Sequence, residues 1–274
     1  MVNIAEKIKD QLKTILKETD LYDKYYQRSS FHNLYISLFR HDLVERNEKA
    51  FKFIKSILEP DSVVFDIGAN IGYKAVIYSK IGCKVIAVEP DPRNIKILQR
   101  VFNNNKKVTL VEKAVSSQIG VEKIYISEQD SALTTFSTKW KSFLESQKDR
   151  DDLAQFSPSV ESYEIPTTTL DALIEQFGVP RYIKIDVEGY ELEAVKGLSQ
   201  PIKLISLEAN LPEFREETIK SVLHLFEIEN KALFNYVLDD TKSFERNTWL
   251  DYEGITDFLK TTDIRYMEIY CKME

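Results

Sequence analysis

The chain has 274 residues, 43% of them hydrophobic, two cysteines and a formal net charge of -7. It is long enough for one sizeable domain with an appendage. Its acidic average argues against a nucleic-acid groove, which needs a basic face, though a local basic patch can survive such an average, and its two cysteines, Cys83 and Cys271, make neither a ligand spacing nor a disulfide framework. No stretch approaches the roughly 18 uninterrupted apolar residues of a membrane span, so the default expectation is a cytoplasmic protein without nucleic-acid or membrane partners.

Residues 1 to about 60 read as a helical extension, with Ile4, Ile8, Leu12, Ile15 and Leu16 at helical spacing. The alternation of charged and apolar residues from Met1 to Asp20 is that of an amphipathic helix, not of a signal peptide, which needs a solid apolar block. The same helix is a candidate for homodimer formation. The aromatic-rich stretch Phe31 to Phe39 is expected to pack the extension onto the core, and Pro60-Asp61 breaks the helical pattern.

A domain spanning 61–274 then opens on Val63-Val-Phe-Asp-Ile-Gly-Ala-Asn-Ile-Gly72. A short apolar run is the mark of a buried parallel strand, and glycines just after it let the backbone turn tightly and approach a ligand. A nicotinamide-binding unit would carry G-x-G-x-x-G here, cradling a pyrophosphate. This chain has Gly68-x-x-x-Gly72, with Asp66 two residues upstream. A carboxylate pointing into that loop repels a pyrophosphate and welcomes a cation, so the expected cofactor is S-adenosylmethionine, whose ammonium and sulfonium are positive. Asn70 is expected either to hydrogen-bond the methionine carboxylate or to cap the following helix.

That helix runs to about Ile81 and turns at Gly82; Lys84–Val88 is the second strand, ended by Glu89-Pro-Asp-Pro92. Glu89, 23 residues after Asp66, sits where an acid grips two ribose hydroxyls; the alternative is a solvated strand-end acid. Arg93 to Phe102 is the next helix and Val108–Val111 the third strand. Just past it, Ala114 and Val115 are small enough to lie against an adenine ring, or are ordinary core. Strand, helix, strand, helix, strand is the signature of a doubly wound, mostly parallel sheet.

Val121 to Ser127 reads as a short extra strand. Residues 128–162 are polar and weakly patterned, an insertion lying over the site or a disordered loop. Thr169 to Phe177 is a helix, Tyr182 to Val187 the fourth sheet strand and Lys203 to Leu207 the fifth. Tyr236–Leu238 and Arg265–Cys271 close the sheet as antiparallel strands, seven in all.

The fourth strand carries Lys184, Asp186 and Glu188 at every second position, hence on one face. Central parallel strands are apolar, and ligands bind beyond their carboxyl ends. Asp186 is therefore the expected catalytic base, with Lys184 or Glu188 setting its pKa or holding substrate. A structural Lys184–Asp186 pair is the alternative, since buried charges cost several kcal/mol unless paired. Glu208, at the end of the fifth strand, would lie beside them. The histidines, His32, His41 and His224, are scattered and read as packing or surface.

Four segments resemble the FkbM family of S-adenosylmethionine-dependent methyltransferases: Asp66-Ile-Gly-Ala-Asn-Ile-Gly72, Val88-Glu-Pro-Asp-Pro92, Thr169-Leu-Asp-Ala-Leu173 and Ile183-Lys-Ile-Asp-Val-Glu-Gly-Tyr-Glu191. The first two occur in many class I methyltransferases; the last two in tandem are more specific. The resemblance covers roughly residues 60 to 210. It implies a class I, Rossmann-like fold, cofactor binding by Asp66, Gly68, Gly72 and Glu89, and Asp186 at the cofactor–acceptor junction. The chain departs from it at Ala75, where Thr or Ser is frequent, and at Arg100 or Val101, where an Asn is frequent.

The resemblance further implies a hydroxyl or carboxyl acceptor on a sugar, glycan or small metabolite. A hydroxyl must lose its proton, and free Asp, at about 3.9, is a weak base for it. A raised pKa, a late proton transfer, or a divalent metal on Asp186, Glu188 and Glu208 would meet that need, the metal being the least favoured. Two rival readings are a nicotinamide-dependent oxidoreductase and a non-catalytic adaptor that keeps the fold.

Overall fold

The computed structural model describes residues 41–127, 160–238 and 243–273. The first 40 residues, with the expected dimer helix and the Phe31–Phe39 stretch, lie outside them, as do 128–159 of the expected insertion. The extension is described from α1, His41–Ile57, whose Ala50, Phe53 and Ile54 enter the core.

The main sheet has seven strands: β1 (Val63–Ile67), β2 (Lys84–Val88), β3 (Val108–Val111), β7 (Tyr182–Ile185), β8 (Leu204–Asn210), β9 (Leu233–Val237) and β10 (Tyr266–Lys272), in the order β3-β2-β1-β7-β8-β10-β9. The pairs from β3 through β8 are parallel. β10 alone is reversed, pairing antiparallel with both β8 and β9. The expectation of two antiparallel closing strands is thus half corrected: β9 runs with the others, because α6 (Arg215–Ile228) carries the chain back across the sheet from β8.

Side-chain alternation along the strands explains the double winding. Phe65, Ile67, Ile183, Ile185, Ile205 and Leu207 face α4 (Leu170–Phe177), α5 (Glu191–Lys196), α6 and α7 (Tyr252–Thr261). Val64, Val85, Ala87 and Tyr182 face α1, α2 (Tyr73–Ile81) and α3 (Pro92–Val101). Local chemistry sets the helix starts: Asp91 accepts from the Arg93 amide ahead of Pro92, and Thr169 accepts from the Ala172 amide.

A second sheet of three strands holds β4 (Ala114–Val115), β6 (Val160–Thr168) and β5 (Gly120–Ser127) in the order β4-β6-β5. Its antiparallel ladder runs from Gly120↔Thr167 to Ser127↔Val160. So the last three residues of the expected insertion, 160–162, are strand: their partners on β5 supply the order that their own polar composition does not advertise. Among the described residues no helix is long and apolar enough to cross a membrane.

Candidate active site

The parallel registers align Ile67 with Val88 and Ile185, so β1, β2 and β7 end together. Beyond this carboxyl edge opens a narrow cleft lined by Gly68, Val88, Pro90, Ala114, Val115 and Tyr190, among others. Ala114 and Val115 are core and cleft wall at once, both buried yet lining the opening.

Gly68 has φ 77 and Gly72 φ 90, both in the left-handed region. They serve close approaches within the protein: Gly68 abuts the carbonyl of Asp186, and Gly72 lies under Leu98 of α3 and Phe102, the residue that ends it. Gly72 occupies the cap position of α2 with no side-chain cap. The cap reading of Asn70 is thereby corrected: Asn70 lies two residues earlier at φ 47, and its amide donates to Glu89 Oε2 at 2.7 Å.

Glu89 is 4% exposed at the end of β2. Its Oε1 accepts from the Asp91 amide at 2.9 Å and from Asn94 Nδ2 at 3.3 Å. Burial pushes its carboxyl up to about 7, against the pull of those donors. The solvated-acid alternative does not describe it. Asn94 is a residue sequence reasoning missed, an asparagine in the same helix as Arg100 and Val101 but nearer its start.

Asp66 corrects an expectation. Its carboxylate does not point into the loop: it is 0% exposed inside β1, and both oxygens lack a hydrogen-bond partner. Register explains this, because Asp66 pairs with Ala87 and Lys184 and shares their face of the sheet. Burial pushes the carboxyl up to about 6, with the Lys184 ammonium opposing.

Lys184 is likewise buried and its Nζ lies 2.6 Å from Asp186 Oδ2. Burial alone would drag the ammonium down, but Asp186, Asp66 and Glu268 around it push it above its ordinary value. The alternation expected for Lys184, Asp186 and Glu188 breaks at the strand end. Asp186 keeps one ladder bond, to Ile67 at 3.0 Å, after which Glu188 turns left-handed at φ 52 and Gly189 at φ 85.

The turn nevertheless brings the carboxylates together. Ligand oxygens of Asp186, Glu188 and Glu208 all lie within 4.8 Å of one another, a spacing that would suit an oxygen-coordinated divalent cation. Asn210 Nδ2 donates to Glu208 Oε2 at 2.7 Å. Burial, then Asp186, Glu188 and Glu191, push the Glu208 carboxyl well above the usual range. Glu191, also missed, accepts from the Val187 and Gly189 amides at 3.0 and 3.2 Å and braces the turn. His224 binds the Leu198 carbonyl and is not part of the acid cluster; His32 and the His41 side chain lie outside the described residues.

A doubly wound sheet with one reversed strand, a cleft at its carboxyl edge, and an acid closing β2 define a class I, Rossmann-like methyltransferase fold. The chain belongs to the methyltransferase FkbM domain family, whose pattern matches residues 66–237. It is 29% identical over 154 residues to the hexuronic acid methyltransferase AglP of Haloferax volcanii, covering 54% of each chain; the chain thus spans about half the length of that curated relative. Among solved structures it is similar to the precorrin-6y C5,15-methyltransferase of Geobacter metallireducens (TM-score 0.42, 13% identity, 82% of this chain and 86% of that one). Another is Aeropyrum pernix fibrillarin with bound S-adenosyl-L-methionine (TM-score 0.40, 10% identity, 83% and 76%). Neither of these two likenesses bears on activity.

Proposed function

We propose that this chain is an S-adenosylmethionine-dependent methyltransferase that methylates a hydroxyl, or a carboxyl, on a sugar, glycan or other small metabolite. The observation that carries the reading is the meeting of two loops: the Gly68 turn, beside the cleft, touches the backbone of Asp186, which opens the acid cluster. Family membership supports methyl transfer, and the name of the Haloferax relative supports a sugar acceptor.

The residues fit the cofactor. Glu89 Oε2 keeps a lone pair beside the Asn70 amide, and Oε1 offers a second site where a ribose hydroxyl displaces the long Asn94 bond. Asp66 supplies a buried carboxylate without a hydrogen-bond partner behind the bend, suited to a positively charged ligand, and Asn70 and Gly72 shape that bend. Ala114 and Val115 give the base an apolar wall. When bound, S-adenosylmethionine supplies an activated methyl group on sulfur. The protein's share is alignment, worth roughly 7–11 kcal/mol of barrier, and care of one proton. Lys184 occupies Asp186 Oδ2, which leaves the other oxygen to accept the acceptor's O–H. Glu188 and Glu208 lie close enough to share the departing proton. Two buried free thiols agree with a reducing, cytoplasmic setting.

The test is transfer of a radiolabelled methyl group from S-adenosylmethionine into a library of sugars and small metabolites, with and without EDTA, using Asp186→Asn as the comparison. Label in a hydroxyl-bearing acceptor that disappears in the variant supports the reading. Tighter binding of NADH than of S-adenosylhomocysteine would overturn it in favour of an oxidoreductase. Binding of S-adenosylhomocysteine without transfer to any acceptor would favour an adaptor.

A further inference from the structure

Among the described residues that line the cleft, Tyr190 alone is aromatic. It stands in the turn after β7, at the cap position of α5, and its phenol reaches across to the three-stranded sheet. The hydroxyl donates to Glu122 Oε2 and lies 3.3 Å from Ser116 Oγ. Ser116, itself buried, donates to the other oxygen, Glu122 Oε1, at 2.5 Å. One carboxylate thus takes two hydroxyl donors, one on each oxygen, and bonds to an ionised acceptor are the strong kind. A second tie, Ser117 Oγ to Glu193 Oε2 at 2.9 Å, joins the same two segments. Burial and the Glu122 carboxylate hold the phenol above its ordinary pKa, so it remains a donor.

The consequence is a ring whose polar end is engaged outside the cleft while its body lines the cleft. Around it the walls are mostly small or aliphatic, Val88, Pro90, Ala114, Val115 and Val187, with Lys113 the one charged residue among the described lining. A narrow slot with mostly apolar sides and one anchored aromatic ring suits a flat, unsaturated heterocycle better than a sugar or an amino-acid chain. We propose that Tyr190 is the residue that recognises the base of the nucleoside cofactor, and that Glu122 and Ser116 are positioning residues that hold its ring in place. This rests on the S-adenosylmethionine reading given above and adds to it the determinant of base specificity. It also gives the three-stranded sheet a role, since Glu122 lies on β5 and Ser116 directly follows β4.

The test is calorimetric binding to the full chain of S-adenosylhomocysteine and of S-ribosylhomocysteine, which lacks the base, with the weaker ligand read by competition. Tyr190→Ala is expected to weaken S-adenosylhomocysteine about 10-fold or more, in line with aromatic–base stacking, and to leave S-ribosylhomocysteine unchanged. Tyr190→Phe, which keeps the ring, should stay within about 3-fold of wild type, and Glu122→Gln should fall between the two. Tyr190→Leu fills the same space without an aromatic face and serves if the alanine variant does not fold. Unchanged S-adenosylhomocysteine binding in Tyr190→Ala or Tyr190→Leu overturns the inference alone, as does an equal loss for both ligands, which would mark a structural role. A wild-type chain that binds neither ligand overturns the cofactor reading and this inference with it.

Discussion

A Cβ added to Gly68 would lie 1.8 Å from the carbonyl oxygen of Asp186, so the turn after β1 and the turn after β7 touch backbone to backbone. No side chain fits between them. The contact ties the Gly68 turn of the proposed cofactor cleft to the first residue of the acid cluster, and any displacement of one is felt by the other.

Gly68→Ala therefore combines a clash that backbone must relieve with a φ of 77 that alanine disfavours. The expected result is loss of measurable S-adenosylhomocysteine binding by calorimetry and a clear drop in melting temperature. Gly178→Ala is the control: at φ 87 and ψ 166 its backbone also favours glycine, but nothing lies within 4 Å. It should cost only backbone strain, about 1–3 kcal/mol, with binding intact.

Glu89 makes cofactor affinity depend on pH. Its carboxyl is pushed up to about 7, so below that pH the free protein carries it protonated, and a proton must leave before both oxygens can accept ribose hydroxyls. Affinity for S-adenosylhomocysteine should rise between pH 6 and 8 and level off above. Glu89→Gln should weaken binding at pH 8 by roughly 10-fold to 100-fold, the worth of hydrogen bonds to a charged group, and flatten the profile. A sloping profile in the variant would show that another group titrates.

Asp66 sets function against stability. Its pKa, about 6 in the fold, exceeds the ordinary 3.8, so between these values the folded state holds the proton more tightly than the unfolded chain. Stability from this group is present below pH 4 and is lost as pH rises through 6, an effect of about 3 kcal/mol once complete. The stability of Asp66→Asn relative to wild type should therefore grow from pH 4 to pH 7 in urea titrations. The same variant should bind S-adenosylhomocysteine more weakly. A difference that does not change with pH would mean that Asp66 is not the responsible group.

Lys184 neutralises a buried acidic environment rather than a single partner, since Asp186, Asp66 and Glu268 all act on it. Lys184→Met should destabilise the protein by about 3–5 kcal/mol, the usual penalty for breaking a buried pair from one side. Asp186→Asn should cost less, because the Asp186 side chain is 31% exposed whereas that of Lys184 is 6%. Adding Asp66→Asn to Lys184→Met should recover part of the loss, read from the midpoints of chemical denaturation.

Much of the sheet was legible from composition alone. The apolar runs at Val63–Ile67 and Lys84–Val88 are strands found, because a strand buried on both faces needs little but continuous hydrophobicity; Val108–Val111 is also found, as a partly buried strand at the sheet edge. β6 was not legible at all: Val160, Glu161 and Ser162 gain their order from Ser127, Ile126 and Tyr125 across the ladder, and a partner about 35 residues away leaves no local mark. The reversal of β10 but not β9 was hidden for the same reason, since strand direction follows the path of the connections.

The candidate site divides along the same line. Residue types in short spacing announced Asp66, the two glycines, Glu89 and the Lys184–Glu188 run, and with them the class of fold. Orientation, protonation and company were decided only by packing. The parity of β1 sealed Asp66 beside Lys184 instead of aiming it at the bend, and the left-handed turn at Glu188 gathered three carboxylates within 4.8 Å. Tyr190 found Glu122 from 68 residues away. Local sequence chooses which chemical groups a chain carries to the end of a strand; the low dielectric and fixed neighbours of the folded interior choose what those groups can do there.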